Sequence, residues 1–175
     1  MEFISSEQQL LVTLSHELLA TLQAKQEALF FQDALNLYIP PEVSSFIGSK
    51  ESEAAADMVK EWEQNDKAPC LLLLGDSGAG KTLFGQWLTR HLFQKLKTKE
   101  GYGRLPLFIP LLTLYDPNKD LIDGYLKKFC GLKSEARIQV KQQPLLLILD
   151  GYDECTLKLI YSETISYGAI PILKY

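Results

Sequence analysis

The chain has 175 residues, 46% of them hydrophobic and 23% charged, with a net charge of -4 and an isoelectric point near 5.2. That is enough apolar material for one sizeable core, and it excludes an extensively disordered chain. The acidic balance argues against a nucleic-acid surface. No apolar run reaches the roughly 18 residues of a membrane span, and MEFISSEQQLL lacks the basic flank and apolar core of a signal peptide, so a cytoplasmic protein without membrane contact is expected.

Residues 5–38 carry a helical pattern. Leu11, Leu14, Leu18 and Leu22 share one face, and Ala28–Leu37 is again apolar on one side, which predicts a helical hairpin or one bent helix. Two roles are open to it: packing against the core, or forming the tail end of a module that binds protein partners. Pro40 and Pro41 in YIPPEVSSFIGS cannot continue a helix and predict a linker. Ser49 or Ser52 is then placed to cap a helix whose Ala55, Met58, Val59 and Trp62 form one stripe, ending near Asn65.

The run Leu71–Leu74 predicts a short strand buried on both faces, as in a parallel sheet covered by helices. Beyond it, Phe84, Trp87, Leu88 and Leu92 recur at helical spacing, so GDSGAGKT joins a strand to a helix N-terminus. Gly75, Gly80, Lys81 and Thr82 fit the pattern G-x-x-x-x-G-K-[ST]. In that pattern glycines let backbone N–H groups wrap a phosphate, lysine neutralises it, and the hydroxyl ligates magnesium. The candidate phosphate-binding set is therefore Gly75, Asp76, Ser77, Gly78, Ala79, Gly80, Lys81 and Thr82.

The plainer alternative is a tight turn served by Gly75, Gly78 and Gly80. Average composition produces the full pattern by accident in about one chain of this length in a hundred. A lysine in a first helical turn also sits badly with the positive end of the helix dipole, a conflict that a bound triphosphate removes.

KLKTK, Lys95–Lys99, suits a helix C-terminus. LPLFIPLLTL, Leu105–Leu114, is strand-like, with Pro110 expected to interrupt a ladder and place its second half at a strand end. Asp116 and Pro117 read as N-cap and first residue of a helix with Leu121, Ile122, Tyr125, Leu126 and Phe129 on one face and Gly131 past its end. After a short helix over Ser134–Gln142, Leu145–Leu149 is a third buried strand. Strands alternating with amphipathic helices predict an α/β fold with a parallel sheet, and ligands in such sheets sit at the carboxyl ends of the strands.

Cys70, Cys130 and Cys155 are an odd number without metal-ligand spacing, so free thiols, buried for packing, in a reducing compartment are expected. His16 reads as solvated and His91 as lying beside an apolar helix face; neither suggests a metal site.

A phosphate loop needs a second anchor for magnesium, commonly an Asp ending a neighbouring apolar strand, and Asp150 ends LLLIL. Thr82 and Asp150 are thus the candidate metal ligands. Asp153 and Glu154 are candidate catalytic residues that orient or deprotonate a water attacking the γ-phosphate. The alternative for all three acids is a solvated acidic turn bent at Gly151.

The pair GDSGAGKT and LLLILDGYDE, with a small residue after the strand-ending Asp and further acids two and three positions on, resembles the NACHT group of signal-transduction NTPases, which includes the NOD-like receptors. LPLFIPLLTL before a short amphipathic helix is similar to that family's second strand. The resemblance covers about residues 38–155. It implies a three-layer P-loop NTPase fold that binds ATP or GTP with magnesium, and whose nucleotide state controls opening and oligomerisation of a larger receptor. It also implies phosphate and magnesium binding at Gly75–Thr82, magnesium at Asp150, and support of hydrolysis by Asp153 or Glu154. FIGSKESE faintly resembles the adenine-side motif of the family's relatives, with Ile47 and Gly48 matched and Ser49 where an arginine would stand.

Such proteins continue past the acidic motif with a further core strand, inserted beside the phosphate-loop strand, and then a helical lid. Here CTLKLIYSETISYGAIPILKY follows, without arginine, and Pro171 predicts that GAIPILKY is a poor central strand. The expectation is a core incomplete at its C-terminus, with a gap in mid-sheet: an N-terminal helical segment over 1–37, a linker and helix over 38–66, a partial core over 67–155, and an atypical tail over 156–175.

The expected function is nucleoside triphosphate binding in a NACHT-type signalling or defence protein, with weak or absent hydrolysis. Protein partners would dock through the N-terminal helices or by self-association. Two alternatives stay open. A small-molecule or nucleotide kinase needs arginines around the transferred phosphate, and only Arg90, Arg104 and Arg137 are present, unclustered. The other alternative is a non-catalytic interaction remnant.

Overall fold

The computed structural model describes residues 12–44, 50–64, 70–98, 103–114, 117–152 and 168–174. The first helix, α1 (His16–Glu27), begins where Ser15 Oγ accepts a hydrogen bond from Leu18 N at 3.2 Å. A turn over 28–31 separates it from the short α2 (Gln32–Asn36), giving two helices and not one bent one. Leu19 and Leu22 of α1 are buried, while Leu11 of the expected stripe lies outside the described residues.

The expected linker is not featureless. β1 (Glu42–Val43) pairs antiparallel with β2 (Glu53–Ala54), and Ser52 Oγ bonds Glu42 Oε2 at 2.6 Å across this ribbon. Ser52 therefore does not cap the following helix, α3 (Ala55–Gln64), which buries Ala55, Val59 and Trp62. Ser49 lies outside the described residues.

Four strands form the main sheet. β3 (Cys70–Gly75), β4 (Leu105–Pro110), β5 (Leu145–Asp150) and β6 (Gly168–Lys174) lie in the order β3–β6–β5–β4. β4 and β5 are parallel, and β6 is antiparallel to both β3 and β5. β3, β4 and β5 therefore point the same way, and the sheet is mixed where a purely parallel one was expected.

The place between β3 and β5, expected to be a gap, is taken by β6, which corrects the reading of Gly168–Lys174 as unfit for a central position. Pairing with β5 involves only Ile172–Lys174 and stops one residue short of Pro171, so the proline limits one ladder without preventing the other.

The helix α4 (Lys81–Thr98) follows β3, and α5 (Pro117–Lys128) and α6 (Ser134–Lys141) lie between β4 and β5 in the chain. Lys95 and Lys97 fall in the last turn of α4, as the dipole favours. Period-two alternation divides the core in two. Leu105, Leu107, Ile109, Leu145, Leu147 and Leu149 join Tyr125 and Leu126 of α5 and Val140 of α6. Phe108, Leu146 and Ile148 join Val59 and Trp62 of α3 and Phe84, Leu88 and Leu92 of α4.

β4 is an edge strand yet is buried over Leu105–Ile109. Its outer edge is covered by α1: Gln26 Nε2 donates to Pro106 O at 3.1 Å, and Phe108 N donates to Gln26 Oε1 at 2.8 Å. Alternate residues of a strand present their N–H to opposite sides, so Pro106 and Pro110 share the outward parity of Phe108. The missing N–H groups are on the side that β5 does not use, and the ladder runs unbroken to the pair Pro110–Asp150. Pro110 thus ends the strand without interrupting it.

β3 departs from expectation in the other direction. Leu71 and Leu73 pack on the α3–α4 side, but Cys70 is exposed and Leu72 and Leu74 are 43% and 38% exposed, so among the described residues only one face is covered. Cys130 is buried, as expected for a packing thiol, and burial pushes its pKa up to about 11. Cys155 lies outside the described residues.

Candidate functional site

The turn after β3 takes the backbone conformations its glycines permit. Gly78 and Gly80 have φ of 82° and 84°, in the left-handed region that side chains avoid, and Ala79 N bonds Asp76 O at 3.1 Å to close the bend. α4 then begins at Lys81, so the amide groups of the turn and first helical residues lie together at the positive end of an 18-residue helix. Phe84 N donates to Gly80 O at 2.8 Å, tying the turn to the first helical bonds.

Lys81 folds back over the turn. Its Nζ donates to Gly75 O at 2.8 Å and Asp76 O at 2.9 Å. The ammonium is thereby held beside the loop by neutral carbonyl acceptors, which lack the full opposite charge that an anion would offer it.

Thr82 and Asp150, 68 positions apart, meet directly: Thr82 Oγ1 donates to Asp150 Oδ1 at 2.9 Å. Asp150 is the last residue of β5, and Gly151, with φ of 75°, turns the chain immediately after it against Leu112. The carboxyl ends of β3 and β5 thus bring together the hydroxyl and carboxylate singled out from sequence.

These two oxygens fit magnesium. Adjacent ligands of an octahedron with metal–oxygen distances of about 2.0–2.1 Å lie about 2.9 Å apart. Magnesium commonly takes one or two protein oxygens and completes its shell with water and phosphate. The described residues contain no group of three His, Cys, Asp or Glu suited to a self-sufficient metal site. Asp153 and Glu154, the candidate catalytic acids, lie outside the described residues, as do Ile47 and Gly48 of the expected adenine-side motif.

Sequence reasoning missed two neighbours of this site. Gly85 lets α4 lie close on the sheet: a Cβ there would stand 2.8 Å from Phe108 Cε2 and 3.2 Å from Ile148 Cγ2. Tyr38 packs over the loop, its Cε2 and hydroxyl 3.9 Å and 4.0 Å from where a Cβ of Gly80 would lie. Burial raises the Tyr38 pKa, and its hydroxyl is covered without a hydrogen-bond partner among the described residues. A glycine at helical spacing and a tyrosine before two prolines carry no local signal of either contact.

The three arginines lie elsewhere. Arg90 faces Glu27 at 3.9 Å and bonds Gln32. Arg137 bonds Asp123 at 3.2 Å, and Arg104 immediately precedes β4, at the opposite end of the strands from the loop. A six-residue strand spans about 20 Å, so Arg104 is separated from the carboxyl edge by roughly that distance. His16 is exposed, and His91 stacks on Trp87 at a ring separation of 5.0 Å.

Among the described residues no helix is long and apolar enough to cross a membrane. The sequence pattern of the NACHT domain matches residues 70–163, from the first residue of β3 to beyond the end of β5. No curated protein and no solved structure matches the chain.

Proposed function

The chain belongs to the NACHT-domain family of nucleotide-binding signalling modules, and on that premise we propose that Gly75–Thr82 bind the phosphates of ATP or GTP while Thr82 and Asp150 hold magnesium. The observation that carries this reading is the 2.9 Å bond between Thr82 Oγ1 and Asp150 Oδ1, which joins the end of the phosphate loop to the strand-ending acid. The backbone amides at the start of α4 would receive the phosphates, and Lys81 would turn from Gly75 O and Asp76 O to neutralise them. Magnesium at Thr82 and Asp150 would offset charge on the terminal phosphates. Asp153 or Glu154 would position water.

We read the mixed sheet, with separate cores on its two faces, as the three-layer core of a P-loop NTPase. Residues 12–37 belong with it as a packed segment, supported by Leu19 and Leu22 in one core and Phe30 and Leu35 in the other. Partner docking through the N-terminal helices retains support from the exposed Leu29, Phe31, Leu37 and Ile39. Turnover is proposed to be slow, because Arg90 and Arg137 are engaged elsewhere and Arg104 lies at the far edge of the sheet. An arginine at the γ-phosphate is worth about 10³–10⁵ in rate. The same placement disfavours the kinase alternative.

The test is calorimetric titration of the whole chain with ATP and GTP, with and without magnesium, beside Lys81→Ala. Magnesium-dependent binding lost in the variant supports the assignment. Equal binding by both proteins, or none by the folded parent, overturns it.

A further inference from the structure

We propose that Tyr38 is a nucleotide-contacting residue, its hydroxyl donating to the phosphate chain seated in Gly75–Thr82; the inference rests on the nucleotide-site reading above. Three observations carry it.

The first is position. Among the described residues Tyr38 is the one outside the loop that flanks Gly80, with its ring edge and hydroxyl each about 4 Å from where a side chain would begin. The second is chemistry. The hydroxyl is covered and has no hydrogen-bond partner among the described residues, whereas buried hydroxyls are nearly always paired, so an orphan beside a phosphate loop has the character of a donor held ready. The Tyr38 pKa is also raised by burial, which keeps the proton needed for donation.

The third is that the residue is held from behind. Its ring packs on the core that contains Phe30, Leu35 and Phe84. The segment leading to it is fastened by buried glutamines: Gln86 Oε1 accepts from Phe31 N at 3.0 Å, and Gln26 bonds the backbone of β4. A ring fixed in this way contributes a donor with little further ordering on binding. Contact requires only that the loop shift as Lys81 leaves Gly75 O and Asp76 O, and Gly78 and Gly80 permit the backbone change.

The experiment compares the parent, Tyr38→Phe and Lys81→Ala by calorimetry with a magnesium complex of a non-hydrolysable ATP analogue, its GTP counterpart and inorganic tripolyphosphate. Thermal unfolding is recorded with and without each. Tyr38→Phe keeps the ring packing and removes only the orphan hydroxyl, so its melting temperature without nucleotide should equal or exceed the parent's. All three probes should bind it about five- to tenfold more weakly, and the stabilisation by nucleotide in excess should fall by the logarithm of that factor.

Unchanged affinity in Tyr38→Phe, while Lys81→Ala still abolishes binding, overturns this inference and leaves the nucleotide site standing. A loss for the nucleotides but not for tripolyphosphate overturns the phosphate assignment. A folded parent that binds no probe overturns both. A lower melting temperature with equal nucleotide stabilisation shows a structural hydroxyl, and the inference falls.

Discussion

Gln26 on α1 completes the outer edge of β4 by accepting from Phe108 N at 2.8 Å, while its amide donates to Pro106 O at 3.1 Å, so one side chain does the work of a neighbouring strand. The amide is fully buried. Truncating it would leave a buried backbone donor and acceptor without partners, each costing about 1–3 kcal/mol. Gln26→Ala is therefore expected to lose about 2–4 kcal/mol in urea unfolding. A loss below about 1 kcal/mol would mean that solvent or another group replaces the amide.

Gly85 makes an opposite prediction to helix propensity. Alanine should favour an exposed helix interior by about 1 kcal/mol, yet here its methyl would press on Phe108 and Ile148 beneath α4. Overpacking of this kind costs about 1–3 kcal/mol. Gly85→Ala should lower the melting temperature, and a rise would show that the two side chains yield freely.

Asp150→Asn separates charge from shape. The amide oxygen can still accept from Thr82 Oγ1, so the bond seen at 2.9 Å is retained in kind and stability should change little. Magnesium loses a carboxylate ligand, and the magnesium-dependent gain in nucleotide affinity should fall about tenfold or more. Intact metal dependence with a large drop in stability would return Asp150 to a structural acidic turn.

His91 makes part of the acid sensitivity. Burial first, and Lys95 second, lower its pKa from the ordinary 6.5. Trp87 stacks on it, and Asp57, Lys60, Glu63 and Lys95 line the same cleft between α3 and α4. Below pH 6.5 the unfolded chain takes up the proton before the folded one, so this contribution to stability is complete above 6.5 and lost as pH falls towards the lower folded value. The melting temperature of the parent should fall relative to that of His91→Gln as pH drops from neutral to about 5. Parallel curves across that range would assign the acid sensitivity to other groups.

The sequence by itself determined the features whose signal is local. The glycine spacing of Gly75–Thr82, the apolar run ending at Asp150 and the helical stripe of Phe84, Leu88 and Leu92 each specify a backbone conformation within a few residues, and those elements form where expected. Even the meeting of Thr82 with Asp150 was legible, because parallel strands deliver their carboxyl ends to one edge. Tertiary structure alone decided the insertion of β6, the open face of β3, the amide bridge from Gln26 and the covering of Gly80 by Tyr38. Strand order is settled by which hydrogen-bonding edges remain unpaired, and a polar side chain's partner by what packing brings beside it. The bond from Phe108 to Gln26 joins residues 82 positions apart, and neither residue's immediate neighbours encode it.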